Sequence, residues 1–187
     1  MTARLILICH AATAAARAGG FPLDEPLEPK GAALARAATR LSRVDRAFVS
    51  PALRARQTAE LLRLEAAIDP SLRDCDYGRW SGRSLAEIEA DEPQALAEWL
   101  TNPDAQPHGG ESLTDLLARA SAWLKARKHD EGRLAAITHP SVIRAAVVAV
   151  LGAPAAAFWR IDIAPLSRVT LSGHEGRWNL RSIVPAD

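Results

Sequence analysis

The sequence predicts an α/β fold with a mainly parallel central sheet. Short apolar runs at residues 5–8, 47–49, 66–68 and 134–138 alternate with helical patterns at 31–41, 50–64, 112–128 and 141–151. Continuous apolar runs of that length fit strands buried on both faces, and strands that alternate with helices pair in parallel. No internal repeat or low-complexity linker interrupts the 187 residues, so residues 1–187 are expected to form one domain.

Each element has its local reason. Residues 5–8 (LILI) end at Cys9 and His10. Residues 11–29 contain Gly19, Gly20, Pro22, Pro26 and Pro29 and read as a long loop, a length usually reserved for function. The helix over 31–41 places Leu34, Ala38 and Leu41 on one face. After the strand at 47–49, Ser50 is expected as N-cap and Pro51 as first helical residue of a helix to about Leu64. Residues 71–82 read as loop, punctuated by Gly78 and Gly82. Short helices follow at 84–90 and 93–100, then a polar connection at 101–110. Residues 112–128 make a strong amphipathic helix carrying Leu113, Leu116, Leu117, Ala120, Trp123 and Leu124 at helical spacing. The helix at 141–151 is closed by Gly152 and Pro154. Residues 168–184 read as a hairpin turning at His174, Glu175 and Gly176.

Bulk properties exclude several classes. A net charge of +1, from 23 basic and 22 acidic residues, lacks the electrostatic footprint of a nucleic-acid or anionic-membrane binder. No stretch reaches membrane-spanning length. The apolar start lacks a cleavage site, so a cytoplasmic address is expected. Two cysteines, Cys9 and Cys75, do not make a disulfide framework. Only three basic side chains are lysines, and an arginine's planar fork suits phosphate and carboxylate.

The chemistry gathers at strand ends. In open parallel sheets ligands bind beyond the carboxyl ends of the strands. His10 and His139 each follow one such end, and the helix starting after Ser50 lies beyond a third. His108, His129 and His174 sit in polar sequence and are read as packed or solvated side chains without a catalytic role.

Five segments in order resemble one family, the histidine phosphatases of phosphoglycerate-mutase-like fold. Residues 5–13, LILICHAAT, stand where the family has a strand followed by Arg-His-Gly-Glu-Thr. Residues 50–59, SPALRARQTA, are close to its Ser-Pro-Leu-x-Arg-Ala-x-Gln-Thr-Ala, and residues 72–82, LRDCDYGRWSG, to its Leu-Arg-Glu-x-Asp-Phe-Gly-x-Trp-x-Gly. Residues 109–112 read GGES, and residues 137–140 read ITHP followed by a Val-Ile-Arg helix of the family's type. The resemblance implies a three-layer α/β/α sandwich and a phosphatase that hydrolyses a small phosphomonoester through a phosphohistidine. His10 would be the nucleophile, Arg54 the bidentate grip on the phosphoryl oxygens, His139 a further donor, and Asp74 the proton donor to the leaving alcohol, with Asp76 as fallback. Cys9, Thr13 and Arg17 would border the substrate. The resemblance implies neither metal nor cofactor, and no metal-ligand spacing is visible. A homodimer stays open. Family mutases are longer and carry extra segments over the site, so water is the expected acceptor.

The pattern breaks at its centre. Cys9 replaces the family Arg before the nucleophile, Ala11 and Ala12 replace Gly and Glu, Ala16 stands at the position of a phosphate-contacting Asn, and Pro140 follows His139. Losing one preorganised cationic donor costs on the order of 3 kcal/mol of transition-state stabilisation unless another replaces it. Arg17, Arg56 and Arg79 are the candidate replacements. A relative that binds a phosphorylated ligand or partner without turnover is the alternative, and a thiol regulator using Cys9 is a third reading.

Overall fold

The computed structural model describes residues 3–39, 41 and 43–186. Six strands form one sheet in the order β3-β2-β4-β1-β5-β6. They are β1 (Ala3–Cys9), β2 (Arg46–Val49), β3 (Ala66–Ile68), β4 (Arg133–Thr138), β5 (Arg168–His174) and β6 (Arg177–Val184). The first four run parallel, and β5 and β6 pair antiparallel beside β1. The β5–β6 turn has left-handed backbone at Glu175 and Gly176, the pair of positive φ angles that lets a two-residue turn follow strand twist.

The helices are α1 (Ala14–Ala18), α2 (Pro29–Ala37), α3 (Leu53–Leu61), α4 (Leu85–Asp91), α5 (Pro93–Thr101), α6 (Leu113–Ala126) and α7 (Pro140–Leu151). Strand alternation sends Leu5, Leu7, Leu134, Ala136, Val169 and Leu171 to the α6–α7 face. The opposite face presents Ile8, Val49 and Ile137 to Ala55, Ala59 and Leu62 of and just beyond α3. This is the expected three-layer sandwich.

Local signals hold where the caps are strong. Ser84 with Glu87, and Ser112 with Asp115, form capping boxes that start α4 and α6. Gly152 ends α7 in the left-handed conformation. Four expectations need correction. The loop over 11–29 contains α1, capped by Thr13. Helix α2 begins at Pro29 and ends at Ala37, earlier than predicted at both ends, and position 40 of the predicted span lies outside the described residues. Ser50 does not cap α3, whose N-cap is Ala52, because the Ser50 hydroxyl is engaged elsewhere. A 3-10 helix over Ala155–Arg160, unforeseen in the sequence, brings Phe158 and Trp159 toward the sheet's carboxyl end.

Candidate active site

The parallel register dictates the site. Cys9 pairs with Thr138, so the next residues, His10 and His139, leave neighbouring strand ends together. Val49 pairs with Ile137 on the far side of β4, which sets Ser50 beside His139. The two imidazole rings meet edge to face with centroids 5.2 Å apart. Ser50 Oγ lies 2.7 Å from His139 Nε2.

His10 is buried, and its Nδ1 lies 2.7 Å from the Ala11 carbonyl oxygen. A carbonyl only accepts, so Nδ1 carries the proton and Nε2 keeps its lone pair. Burial first, then the neighbouring His139, pushes the His10 pKa down to about 3, so the ring is neutral at physiological pH. The loop behind it is pinned. The Ala11 amide donates to Thr58 Oγ1 (3.0 Å), which itself donates to the Arg54 carbonyl (2.7 Å). Gly31 is required where α2 crosses, since a Cβ there would stand 2.5 Å from the Ala12 carbonyl oxygen.

Arg54 and Asp74 meet beneath the histidines. Arg54, 3% exposed, donates from Nη2 to Asp74 Oδ2 (2.7 Å) and from Nη1 to the Leu23 carbonyl (2.9 Å). Asp74 Oδ2 also lies 3.2 Å from His139 Nδ1 without the alignment of a hydrogen bond. Its Oδ1 accepts from the Ser141 hydroxyl and the Cys75 amide. Burial alone would raise the Asp74 pKa. The His139 and Arg54 charges and the Ser141 hydroxyl outweigh it and hold the carboxyl well below the usual range. In this state Asp74 is a carboxylate with no proton to give, which corrects the simple reading of it as a standing acid. The Nε of Arg54 is a buried donor without a hydrogen-bond partner, and His139 Nδ1 has only the poorly aligned Asp74 carboxylate. Such donors are rare and costly unless something accepts from them.

A cavity of about 830 Å³ opens against His10, Thr13, Asp74 and Ser141. Thr13 is on its wall, and its hydroxyl accepts from the Ala16 amide. Arg17 reaches the rim, where it pairs with Glu28 at 3.1 Å. Cys9 is not on the wall. The two-residue period that sends His10 to the site sends Cys9 to the α6–α7 core, where it is fully buried. Arg56 is exposed and off the wall, and Arg79 is held by Glu92 and the Pro107 carbonyl. Neither replaces the missing cation. Asp76 shapes a turn, accepting from the Gly78 amide (2.9 Å), and does not line the cavity.

Two groups, Arg144 and Arg119, escaped the sequence reading. Arg144, one helical turn past Ser141 on α7, lines the cavity with its Nε unpartnered, and its nearest acid is Asp162 at 3.9 Å. Spacing of i, i+3 on the helix that follows His139 was the available signal. Arg119 clamps the Asp74 segment, donating to the Ser71, Arg73 and Asp74 carbonyls and to both oxygens of buried Glu111. Of the two non-catalytic readings of His108, the structure shows the packed one. Its ring packs edge to face on Trp80 at 5.0 Å, and its Nδ1 accepts from the Gly110 amide.

Both thiols are free and buried, and burial raises the pKa of each above that of an ordinary thiol. We expect neither to react with an aromatic disulfide reagent in native buffer within minutes, and both to react in denaturant. Rapid labelling of one thiol in the folded protein would revive the thiol-regulator reading. Among the described residues, no three His, Cys, Asp or Glu side chains gather as a metal site, and no helix is long and apolar enough to cross a membrane.

This sheet brings together paired histidines at adjacent strand ends with an arginine and a carboxylate, as the sequence resemblance implies. The model of the histidine phosphatase superfamily, branch 1, matches residues 5–184, and the chain belongs to that family. Phosphoserine phosphatase 1 of Hydrogenobacter thermophilus is 29% identical over 168 residues, covering 83% of this chain and 80% of that protein. The native structure of mycobacterial glucosyl-3-phosphoglycerate phosphatase superposes with a TM-score of 0.83 at 28% identity, covering 100% of this chain and 99% of that one. Glucosyl-3-phosphoglycerate phosphatase of Mycobacterium tuberculosis is 40% identical over a shorter match of 57 residues, 30% of this chain and 26% of that protein.

Proposed function

We propose that the chain is a phosphoric monoester hydrolase that works through a phosphohistidine on His10. The observation that carries this reading is the neutral His10, its Nδ1 proton committed to the Ala11 carbonyl and its Nε2 lone pair free, at the floor of the cavity. Two buried groups with unmet hydrogen-bonding geometry, Arg54 Nε and His139 Nδ1, fit acceptor oxygens that a phosphoryl group brings.

The first step forms an Nε2–P bond and breaks the P–O bond to the leaving alcohol. Arg54 and His139 stabilise the phosphoryl oxygens, which is most of what catalysis of this transfer requires. Asp74 gains its proton through substrate binding. When a phosphate dianion takes over Arg54 and His139, the carboxylate loses its counter-charges and faces a negative neighbour, and both changes raise its proton affinity. It then protonates the departing oxygen and, as a carboxylate again, accepts a proton from the water that hydrolyses the phosphohistidine. Thr13 and Arg17 border the substrate. Arg144, rather than Arg56 or Arg79, is the cation that offsets the missing arginine. Two free thiols fit a reducing, cytoplasmic setting.

Phosphoanion binding without turnover is the second reading. Its support is Arg54, whose two terminal nitrogens already serve Leu23 and Asp74. Rapid quenching separates the two. During turnover of an aryl phosphate, hydrolysis predicts a phosphoryl adduct on His10, stable to alkali and lost in acid. Binding of phosphate with neither adduct nor turnover would sink the enzyme reading.

A further inference from the structure

The cavity that begins at His10 is far larger than a phosphoryl group needs. At about 830 Å³ it has the size of a site for a whole small-molecule ligand. Its wall beyond the phosphoryl end is built from aromatic and aliphatic side chains. Phe21, Tyr77, Leu96, Trp99, Phe158 and Trp159 carry most of it. Trp99 and Trp159 meet at 4.8 Å between ring centroids, and Phe158 and Trp159 at 4.9 Å, so the far end is an aromatic enclosure.

Several polar groups on the wall are committed, and Tyr77, the exposed Glu89 and Arg144 are the further ones. The Thr13 hydroxyl caps α1, the Ser141 hydroxyl serves Asp74, and Arg17 pairs with Glu28. No asparagine, glutamine or lysine is among the described lining residues. A sugar or polyol leaving group would surrender its hydroxyl hydration here and regain few hydrogen bonds, an exchange that costs free energy for each unpaired group. Two further aliphatic side chains, Leu85 of α4 and Leu100 of α5, line the cavity while 45% and 42% exposed.

From this lining we infer that the substrate is a phosphomonoester with a bulky apolar leaving group, aryl or medium-chain alkyl, whose body fills the cavity between α5 and the Phe158–Trp159 turn. The inference rests on His10 as phosphoryl acceptor and adds the class of the alcohol. Arg144, unpartnered at Nε and 5.7 Å from the Phe158 ring centroid, stands where its flat guanidinium can face an aromatic ring of the substrate.

The test is a series of straight-chain alkyl phosphates from ethyl to decyl. Their leaving alcohols have nearly equal acidity, so length reports burial alone. Each added methylene that enters the cavity is expected to raise kcat/KM about threefold to fourfold until the cavity is full. Phosphoserine and a hexose phosphate are expected to fall below octyl phosphate by at least about tenfold. The double variant Leu85→Ser with Leu100→Ser, at two partly exposed positions, should flatten the length dependence from ethyl to octyl phosphate. A flat series in the wild type, or phosphoserine outranking octyl phosphate, overturns the inference. If no ester is hydrolysed, the hydrolase reading has failed by itself. Alkyl phosphonates titrated against Trp99 and Trp159 fluorescence then decide: affinity that grows with chain length supports the apolar site, and length-independent affinity overturns it.

Discussion

Replacing His10 with Ala is expected to lower kcat on any accepted phosphomonoester by at least about 10⁴-fold, because the nucleophile itself is removed. The fold should survive. The ring's one internal hydrogen bond is to the adjacent Ala11 carbonyl, and a bond of that kind contributes about 1 kcal/mol. Phosphate affinity should also survive, since Arg54 and His139 remain. The variant therefore separates chemistry from binding. Turnover within tenfold of wild type, measured with 1-naphthyl phosphate and with folding checked by circular dichroism, would remove His10 from the reaction.

Asp74→Ala should act on stability and turnover together. Among the described residues the carboxylate is the sole charged partner of Arg54, which is 3% exposed, and it also holds Ser141 and the Cys75 amide. Breaking a buried pair by removing one member leaves an uncompensated charge and costs about 3–5 kcal/mol. That is a large share of a typical domain's stability of about 5–15 kcal/mol. The urea midpoint should fall accordingly. Inorganic phosphate should restore more stability to the variant than it adds to wild type, because the dianion supplies the missing counter-charge. A midpoint loss equivalent to less than about 1 kcal/mol, or equal stabilisation by phosphate in both proteins, would show that Arg54 does not depend on Asp74.

These outcomes depend on contacts at very different sequence distances, and that distance governs how much was legible. Cys9 and His10 illustrate the near limit. Alternation along β1 sends one side chain to the core and the other to the site, a rule readable from residues 5–10 alone. The resemblance to Arg-His-Gly drew attention to Cys9 as a lost phosphate ligand, whereas the strand period already placed it with Leu5 and Leu7. Ser50 illustrates the middle range. Ser50 followed by Pro51 is a good helix start by local chemistry, but the hydroxyl faces His139 across two strands, and the helix begins three residues later at Leu53. The sequence left His108 as either packed or solvated, and Trp80, 28 positions earlier, decides for packing.

The sequence by itself determined the alternation of strands and helices, the capped starts of α4 and α6, the β5–β6 hairpin, and the histidine at each of two strand ends. These follow from periods of two and 3.6 residues and from side chains that bond within three positions of their own backbone. Only the tertiary structure decided which arginines face the site. Arg54 is occupied by Leu23, 31 positions away, and Asp74, 20 positions away, while Arg144 enters the wall and Arg56 and Arg79 do not. It also decided that Asp74 rests ionised and that the cavity beyond the histidines is apolar. Both are properties of side chains gathered from five or more separate segments, and no local period encodes such a gathering.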